Sequence, residues 1–112
     1  EVMAMVAYQS GEGRFRWLHA RDGVQVELLA RATAHHSGVA WVASKEQVID
    51  ENWLGPRLGS ATRKRLGDVV LVPREPISFD DAADTGPFIL QCRHGALTDD
   101  ELDVPLLATA VQ

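Results

Sequence analysis

The chain has 112 residues, of which 46% are hydrophobic and 24% are charged; this is the composition of a globular domain and argues against intrinsic disorder. Eleven Lys and Arg residues stand against sixteen Asp and Glu residues, and the net charge of -5 disfavours general nucleic-acid binding because phosphates would be repelled. The longest apolar runs are about four or five residues, far below the roughly 20 needed to cross a bilayer, so we expect no membrane partner.

The cysteine content and the start of the chain bear on where the protein is found. Cys92 is the single cysteine, so it cannot form an intramolecular disulfide, and this favours a reducing compartment. No basic segment followed by an apolar one marks a secretion signal, and we therefore expect a cytoplasmic location. The first residue is Glu1 rather than Met, which suggests processing or excision from a longer polypeptide.

Strands and helices are predicted to alternate in the first part of the chain. Residues 1–7 are apolar and are compatible with a buried strand or a helix end, whereas the alternating pattern after a Gly-rich turn predicts a strand at 13–20. Asp22 followed three positions later by Gln25 has the pattern of a capping box, and Val24, Leu28 and Ala32 then repeat at four-residue spacing, which predicts a helix over 23–36.

A further strand and two short helices are predicted next. Residues 39–43 are rich in side chains that favour strands, and the capping-box pair Ser44 and Gln47 predicts a helix at 45–52. Ser60 is placed to cap a second, shorter helix.

The C-terminal part predicts two buried strands separated by a long loop. Residues 68–72 and 88–92 are apolar enough to be buried strands, and 73–87 holds three of the five prolines, as is typical of a surface loop or an excursion hairpin. A third capping-box pattern occurs at 98–101, and 104–110 is apolar enough for a last strand or helix. The whole pattern predicts an α/β or mixed α+β fold.

Several polar clusters have structural interpretations that outweigh the functional ones. Gly11-x-Gly13 precedes a strand rather than a helix, which disfavours a dinucleotide site and favours a turn. His35 and His36 are adjacent and point about 100° apart on a helix, so a shared metal is disfavoured. A phosphate-binding patch and a cation site remain the less favoured readings of a basic cluster (Arg57, Arg63, Lys64, Arg65) and an acidic cluster (Asp99, Asp100, Glu101, Asp103).

The segment Cys92-Arg93-His94-Gly95 is the strongest candidate for chemistry. In a strand Cys92 and His94 would face the same side, and His94 stands where the strand is predicted to give way to a loop. A neutral imidazole there can bind zinc if other ligands come from elsewhere in the structure. Gly95 would allow a sharp turn or a close approach of the backbone to a ligand.

Four segments of the chain together resemble a known enzyme family. Residues 88–107 read FILQCRHGALTDDELDVPLL, with the short motifs His-Gly-x-Leu-Thr and Val-Pro-Leu-Leu, and similar matches occur at 40–49, 53–56 and 66–70 in the same order. This arrangement resembles the C-terminal part of bacterial nucleotide pyrophosphatases and type I phosphodiesterases of the alkaline phosphatase superfamily.

The resemblance implies a two-metal hydrolase of phosphodiesters or nucleotide pyrophosphates. His94 matches the family's metal-ligating histidine, and the implied cofactor is a divalent metal, with two Zn²⁺ ions expected in the complete enzyme. The remaining ligands and the Thr or Ser nucleophile lie upstream in family sequences, so no catalytic residue is assigned here and the 112-residue chain alone is expected to be inactive. Ala96 departs from the family, which usually has Ser at that position.

The same resemblance implies a division of the chain and its partners. Residues 1–66 would form a small inserted α+β subdomain, and 67–112 would supply the C-terminal strands and short helix of an alkaline-phosphatase-like α/β core. The expected partners are a small-molecule phosphodiester or nucleotide substrate and the upstream remainder of the catalytic domain.

An alternative hypothesis is a free-standing, non-catalytic α/β binding or dimerisation module. The chain has three tryptophans, Trp17, Trp41 and Trp53, and aromatic residues of this kind can anchor an interface.

Overall fold

A four-stranded antiparallel sheet forms the centre of the protein in a computed structural model that describes residues 1–84 and 90–111. A short 3-10 helix at Val2–Met5 precedes the first strand. The fold is mixed α+β, as the sequence predicted. The strands are β1 (Val6–Glu12), β2 (Phe15–Ala20), β3 (Ala40–Ser44) and β4 (Val69–Pro73), and the helices are α1 (Gln25–His36), α2 (Lys45–Asp50), α3 (Ser60–Arg65) and α4 (Asp99–Leu102).

The last strand of the described residues lies inside the sheet. The spatial order is β1-β2-β4-β3, and β4 pairs with β2 through Val70 opposite Trp17 and with β3 through Leu71 opposite Val42. All five residues of β4 are buried, because both faces of the sheet are covered where it runs. The sheet therefore joins strands from both sides of the predicted boundary at residue 66, and residues 69–73 pack as one unit with the first part of the chain.

The first hydrophobic core lies between the sheet and α1. Leu28 and Ala32 lie four positions apart on one face of α1 and are fully buried, in a cluster with Leu18, Val69 and Leu71 of the sheet. This packing fixes α1 against one face of β2 and β4.

The second core lies on the opposite face of the sheet. Val48 of α2 packs with Trp17, Val70 and Val72, and the same cluster includes Ala96 from the C-terminal segment, which is 3% exposed. Ala96 thus attaches that segment to the sheet by apolar contact.

The predicted caps have different outcomes. Ser44 begins α2 as predicted, since its hydroxyl accepts a hydrogen bond from the backbone N–H of Gln47 at 3.2 Å. The prediction that Asp22 caps α1 is wrong: Val24 occupies the N-cap position and makes no side-chain cap. Gly23, with φ of 81°, turns the chain between Asp22 and the helix. Likewise, α3 is preceded by Gly59, so Ser60 is its first residue rather than its cap.

The C-terminal segment departs most from its predicted secondary structure. Residues 90–92 are exposed and form no strand, while 88–89 lie outside the described residues. The predicted last strand or helix at 104–110 is also wrong, because these residues adopt neither structure and are exposed. Apolar sequence favours burial, but none of the described residues covers this segment.

The exposed apolar tail makes the molecule long. The protein extends 64 Å along its longest axis and 33 and 29 Å along the others, and its radius of gyration is 16.2 Å. A globular chain of this length has a radius of gyration of roughly 13 Å. No helix among residues 1–84 and 90–111 is both long and apolar enough to cross a membrane.

Candidate functional site

His94 lies in the segment that precedes α4, on the surface of the protein. Its side chain is exposed, and the following residue, Gly95, has φ of 101°. This is the left-handed region of the backbone, where glycine is tolerated and other residues are strained. The chain therefore turns sharply after His94 and presents the imidazole to solvent.

The residues on either side of this turn are held by the body of the protein. Before it, the Arg93 guanidinium lies 3.8 Å from Glu12 Oε1 and 3.6 Å from Asp80 Oδ1. After it, Ala96 is buried in the second core. The exposed His94–Gly95 turn is thus flanked by one electrostatic and one apolar attachment.

The Glu101 carboxylate is the main polar attachment of the segment. It accepts hydrogen bonds from the backbone N–H of Ala96 at 3.2 Å and from the Thr98 hydroxyl at 2.6 Å. It also accepts hydrogen bonds from Nε and Nη2 of Arg14 at 2.7 and 2.8 Å, and the two side chains form a bidentate ion pair. These donors stabilise the carboxylate and lower the pKa of Glu101 to about 2, with the hydrogen bond from Arg14 as the largest cause.

Arg14 is itself fixed by a second set of contacts. Its Nη1 donates to the backbone carbonyls of Glu75 and Ile77 at 2.8 and 2.7 Å. Its backbone N–H donates to the Glu12 carboxylate at 2.9 Å. One guanidinium therefore joins the turn between β1 and β2, the segment after β4, and α4.

A cleft of about 570 Å³ lies beside the His94 segment. Cavities of roughly 300–1,000 Å³ are the usual size for small-molecule sites. Its walls come from the segments around β4 and α4, and its charged lining combines three arginines (Arg14, Arg74, Arg93) with three acids (Glu75, Asp100, Glu101).

The described residues do not give His94 a complete set of metal ligands. Within 1–84 and 90–111, no three or more His, Cys, Asp or Glu side chains are grouped so that they could hold a metal ion. Cys92 is exposed and is not aligned with His94 along a strand, since 90–95 form no strand. An exposed imidazole fits the chemistry of a single zinc ligand, and any complete site needs ligands from other parts of a polypeptide.

The other sequence candidates are spread over the surface. The ring of His36 packs edge-on against Phe79, with 5.2 Å between ring centroids, while His35 is exposed. The basic residues of α3 are exposed at its end, where they suit the helix dipole. The acidic residues Asp99 and Asp100 are exposed in the first turn of α4, and only Glu101 of that cluster turns inward.

The three tryptophans belong to the second core. Trp17 is buried, and Trp41 and Trp53 are half-buried and pack against the same cluster. The indole N–H of Trp53 donates to Glu51 at 2.7 Å.

Two polar pairs inside the body could not be predicted from the sequence. Arg16 is 1% exposed, and its guanidinium donates to the Asp84 carboxylate at 3.2 and 2.5 Å and to the Phe79 carbonyl at 2.8 Å. The partners are more than sixty positions apart in the chain, so no local spacing connects them. Arg16 holds the segment after β4 against the sheet.

The second pair lies across β1 and β2. Ser10 Oγ is 2.8 Å from Nε2 of His19, and the His19 ring stacks on Tyr8 with centroids 4.0 Å apart. Burial disfavours the charged imidazole and lowers the pKa of His19, although the Asp68 carboxylate opposes this shift. The alternating pattern places Tyr8, Ser10 and His19 on one face of the hairpin.

Comparison with known proteins gives no family assignment. No protein-family model matches the chain, and no curated protein gives a significant match.

Proposed function

We propose that this chain is the C-terminal segment of a metal-dependent hydrolase of phosphodiesters or nucleotide pyrophosphates, in which His94 is one metal ligand. The observation that carries the proposal is the exposed imidazole on a turn whose two flanks are anchored, at the position where the sequence resembles the family's ligating histidine. A catalytic group on a fixed support is already oriented before its partners bind.

The proposed role of His94 is that of a single metal ligand. It would donate one ring nitrogen to a divalent metal, zinc being the expected ion, and Gly95 would keep the backbone beside that imidazole free of a side chain. The bound metal would supply Lewis-acid polarisation of a phosphoryl oxygen. The other ligands and the nucleophile would come from the upstream remainder of the catalytic domain.

The exposed tail supports a partner domain. Leu106 and Leu107 are each 91% exposed, and Val104 and Val111 are similarly uncovered. A continuous apolar stretch of this kind is typical of a surface that packs against another part of a protein. We propose that the upstream catalytic domain covers residues 104–111.

The cleft beside the turn supports a small-molecule substrate. Its volume of about 570 Å³ lies in the usual range of small-molecule sites and is large enough for a phosphodiester or nucleotide. The net charge of -5 disfavours general nucleic-acid binding. A cytoplasmic location forms part of the proposal and is supported by the exposed free thiol of Cys92.

The test is a His94→Ala substitution in the complete polypeptide that contains this chain. We expect the variant to lose on the order of 100-fold or more in zinc affinity and in hydrolysis of a chromogenic phosphodiester, because a ligand has a larger effect than its surroundings. The matched control is His35→Ala, which removes an exposed imidazole on α1 and should leave both measurements unchanged. Equal zinc affinity and equal hydrolysis in the two variants would contradict the proposal.

A further inference from the structure

We infer that Glu101 is a positioning residue for the His94–Gly95 turn: through its bidentate pair with Arg14 it fixes the segment that presents the imidazole. The inference rests on the proposed function, since it takes the orientation of His94 to matter for metal binding. Glu101 would not bind the metal and would act on the turn through the backbone of Ala96, while its carboxylate also lines the cleft.

The carboxylate divides its hydrogen bonds between two parts of the protein. On one side it binds the Ala96 N–H and the Thr98 hydroxyl, which lie two and four positions after His94. On the other side it binds Arg14, in the turn between β1 and β2. The carboxylate is thus the polar link between the turn and the sheet, and the loss of either half would release the turn from that link.

The support on the sheet side is rigid because several hydrogen bonds hold the Arg14 side chain in one position. Its guanidinium donates to Glu75 and Ile77 carbonyls as well as to Glu101, and the side chain is only 11% exposed. Small displacements of Arg14 would break several charge-assisted hydrogen bonds at once. Glu101 therefore holds the turn against a fixed point.

A second acid–arginine link reaches the other flank of the turn. Glu12 accepts the backbone N–H of Arg14 through Oε2, and its Oε1 lies 3.8 Å from the Arg93 guanidinium. Both flanks of His94 are therefore linked to residues 12–14, in and beside the turn of the β1–β2 hairpin, by contacts with acidic or arginine side chains. Glu101 makes the shorter, directly hydrogen-bonded link of the two.

The turn needs such a support because its own backbone is permissive. Glycine has more conformational freedom than any other residue, so fixing its backbone costs more entropy than fixing that of another residue. If the protein already fixes the Gly95 backbone, metal binding at His94 loses less conformational entropy and is stronger for that reason. A helix cap alone would not require a bond to Ala96, which lies outside α4.

The experiment uses Glu101→Gln in the complete polypeptide, with Asp99→Asn as the matched control on the same helical turn. We expect Glu101→Gln to raise hydrogen exchange at the Ala96 amide, whose N–H donates to this carboxylate, by roughly 10-fold. We also expect it to weaken zinc binding by about 10- to 100-fold, as the loss of a group that orients a ligand does. The visible spectrum of the Co²⁺-substituted protein should change as well, because it reports ligand geometry and would not respond to a structural role alone.

Asp99→Asn should match the wild type in all three measurements. If Glu101→Gln also matches it in exchange or in the Co²⁺ spectrum, the inference is overturned. Thr98→Val provides a milder second variant should Glu101→Gln fail to fold, since it removes one donor to the carboxylate. It should change exchange and the spectrum in the same direction, by a smaller factor, and unchanged values would equally overturn the inference.

The two proposals fail in different ways. Unaltered zinc binding in His94→Ala would reject the proposed function and, with it, the positioning role. Impaired zinc binding in His94→Ala together with a wild-type Co²⁺ spectrum in Glu101→Gln would reject the positioning role alone.

Discussion

The body of the protein, residues 1–84, and the C-terminal segment, 90–111, are stabilised in different ways. In the body, strands are joined by backbone ladders and both faces of the sheet are covered by apolar side chains. The C-terminal segment contains one short helix and is attached through Ala96 and the Glu101–Arg14 pair. The comparison teaches that order in the second region depends on a few side chains, so single changes there should act locally.

The largest effect is expected from shortening a buried side chain of the body. Leu28→Ala should lower the free energy of unfolding by about 2–5 kcal/mol, because it leaves a cavity in the first core. In the isolated 112-residue chain, Leu106→Ala, the same substitution at a 91% exposed position of the tail, should change it by less than about 0.5 kcal/mol. Urea denaturation of both variants measures the difference, and equal losses would contradict the division into two regions.

A smaller effect is expected from acid, and it should begin in the C-terminal segment. The pKa of Glu101 is lowered to about 2 in the folded protein, below its ordinary value of 4.5. The pair therefore contributes its full stability above about pH 4.5 and loses it as the pH falls toward 2, by roughly 2 kcal/mol in total.

Hydrogen exchange at residues 96–102 measured between pH 5 and pH 3, with intrinsic rates corrected, would detect this loss. Glu101→Gln should remove most of the dependence on pH. If the corrected protection of the wild type stayed constant between pH 5 and pH 3, the prediction would be wrong.

The smallest effect is expected from the histidines of the body. Burial lowers the pKa values of His19 and His36, so the unfolded chain binds protons more readily than the folded one. Stability from these groups is complete above about pH 6.5 and falls as the pH drops below that value. Urea midpoints at pH 7.5 and 5.5 should show the decrease, and His19→Gln should reduce it; a midpoint that rises toward pH 5.5 would contradict the sign.

Elements with local signals were predictable from the sequence. The hydroxyl of Ser44 and the amide of Gln47 are three positions apart, and the predicted hydrogen bond is present. The α1 helix was predicted from the spacing of its apolar residues, although its start was misplaced, because Gly23 turns the chain before the helix begins. Signals between residues close in the sequence therefore predicted that these helices exist more reliably than where they begin and end.

Contacts between distant residues were not predictable. Arg14 and Glu101 are 87 positions apart, and neither residue carries a local sign that the two meet. The strand order was equally hidden, since β4 lies between two strands that precede it in the chain. Apolarity at 104–110 predicted burial but could not say against what, and the described residues leave this tail exposed.

The position of β4 has a consequence for the order in which the protein is assembled during synthesis. The β1–β2 hairpin can close as soon as both strands have left the ribosome, whereas β3 has β4 as its only neighbour in the described sheet and must wait for residue 73. Until then α1 lacks Val69 and Leu71 as packing partners. The sheet is therefore completed in one late step, when β4 enters between the β1–β2 hairpin and β3.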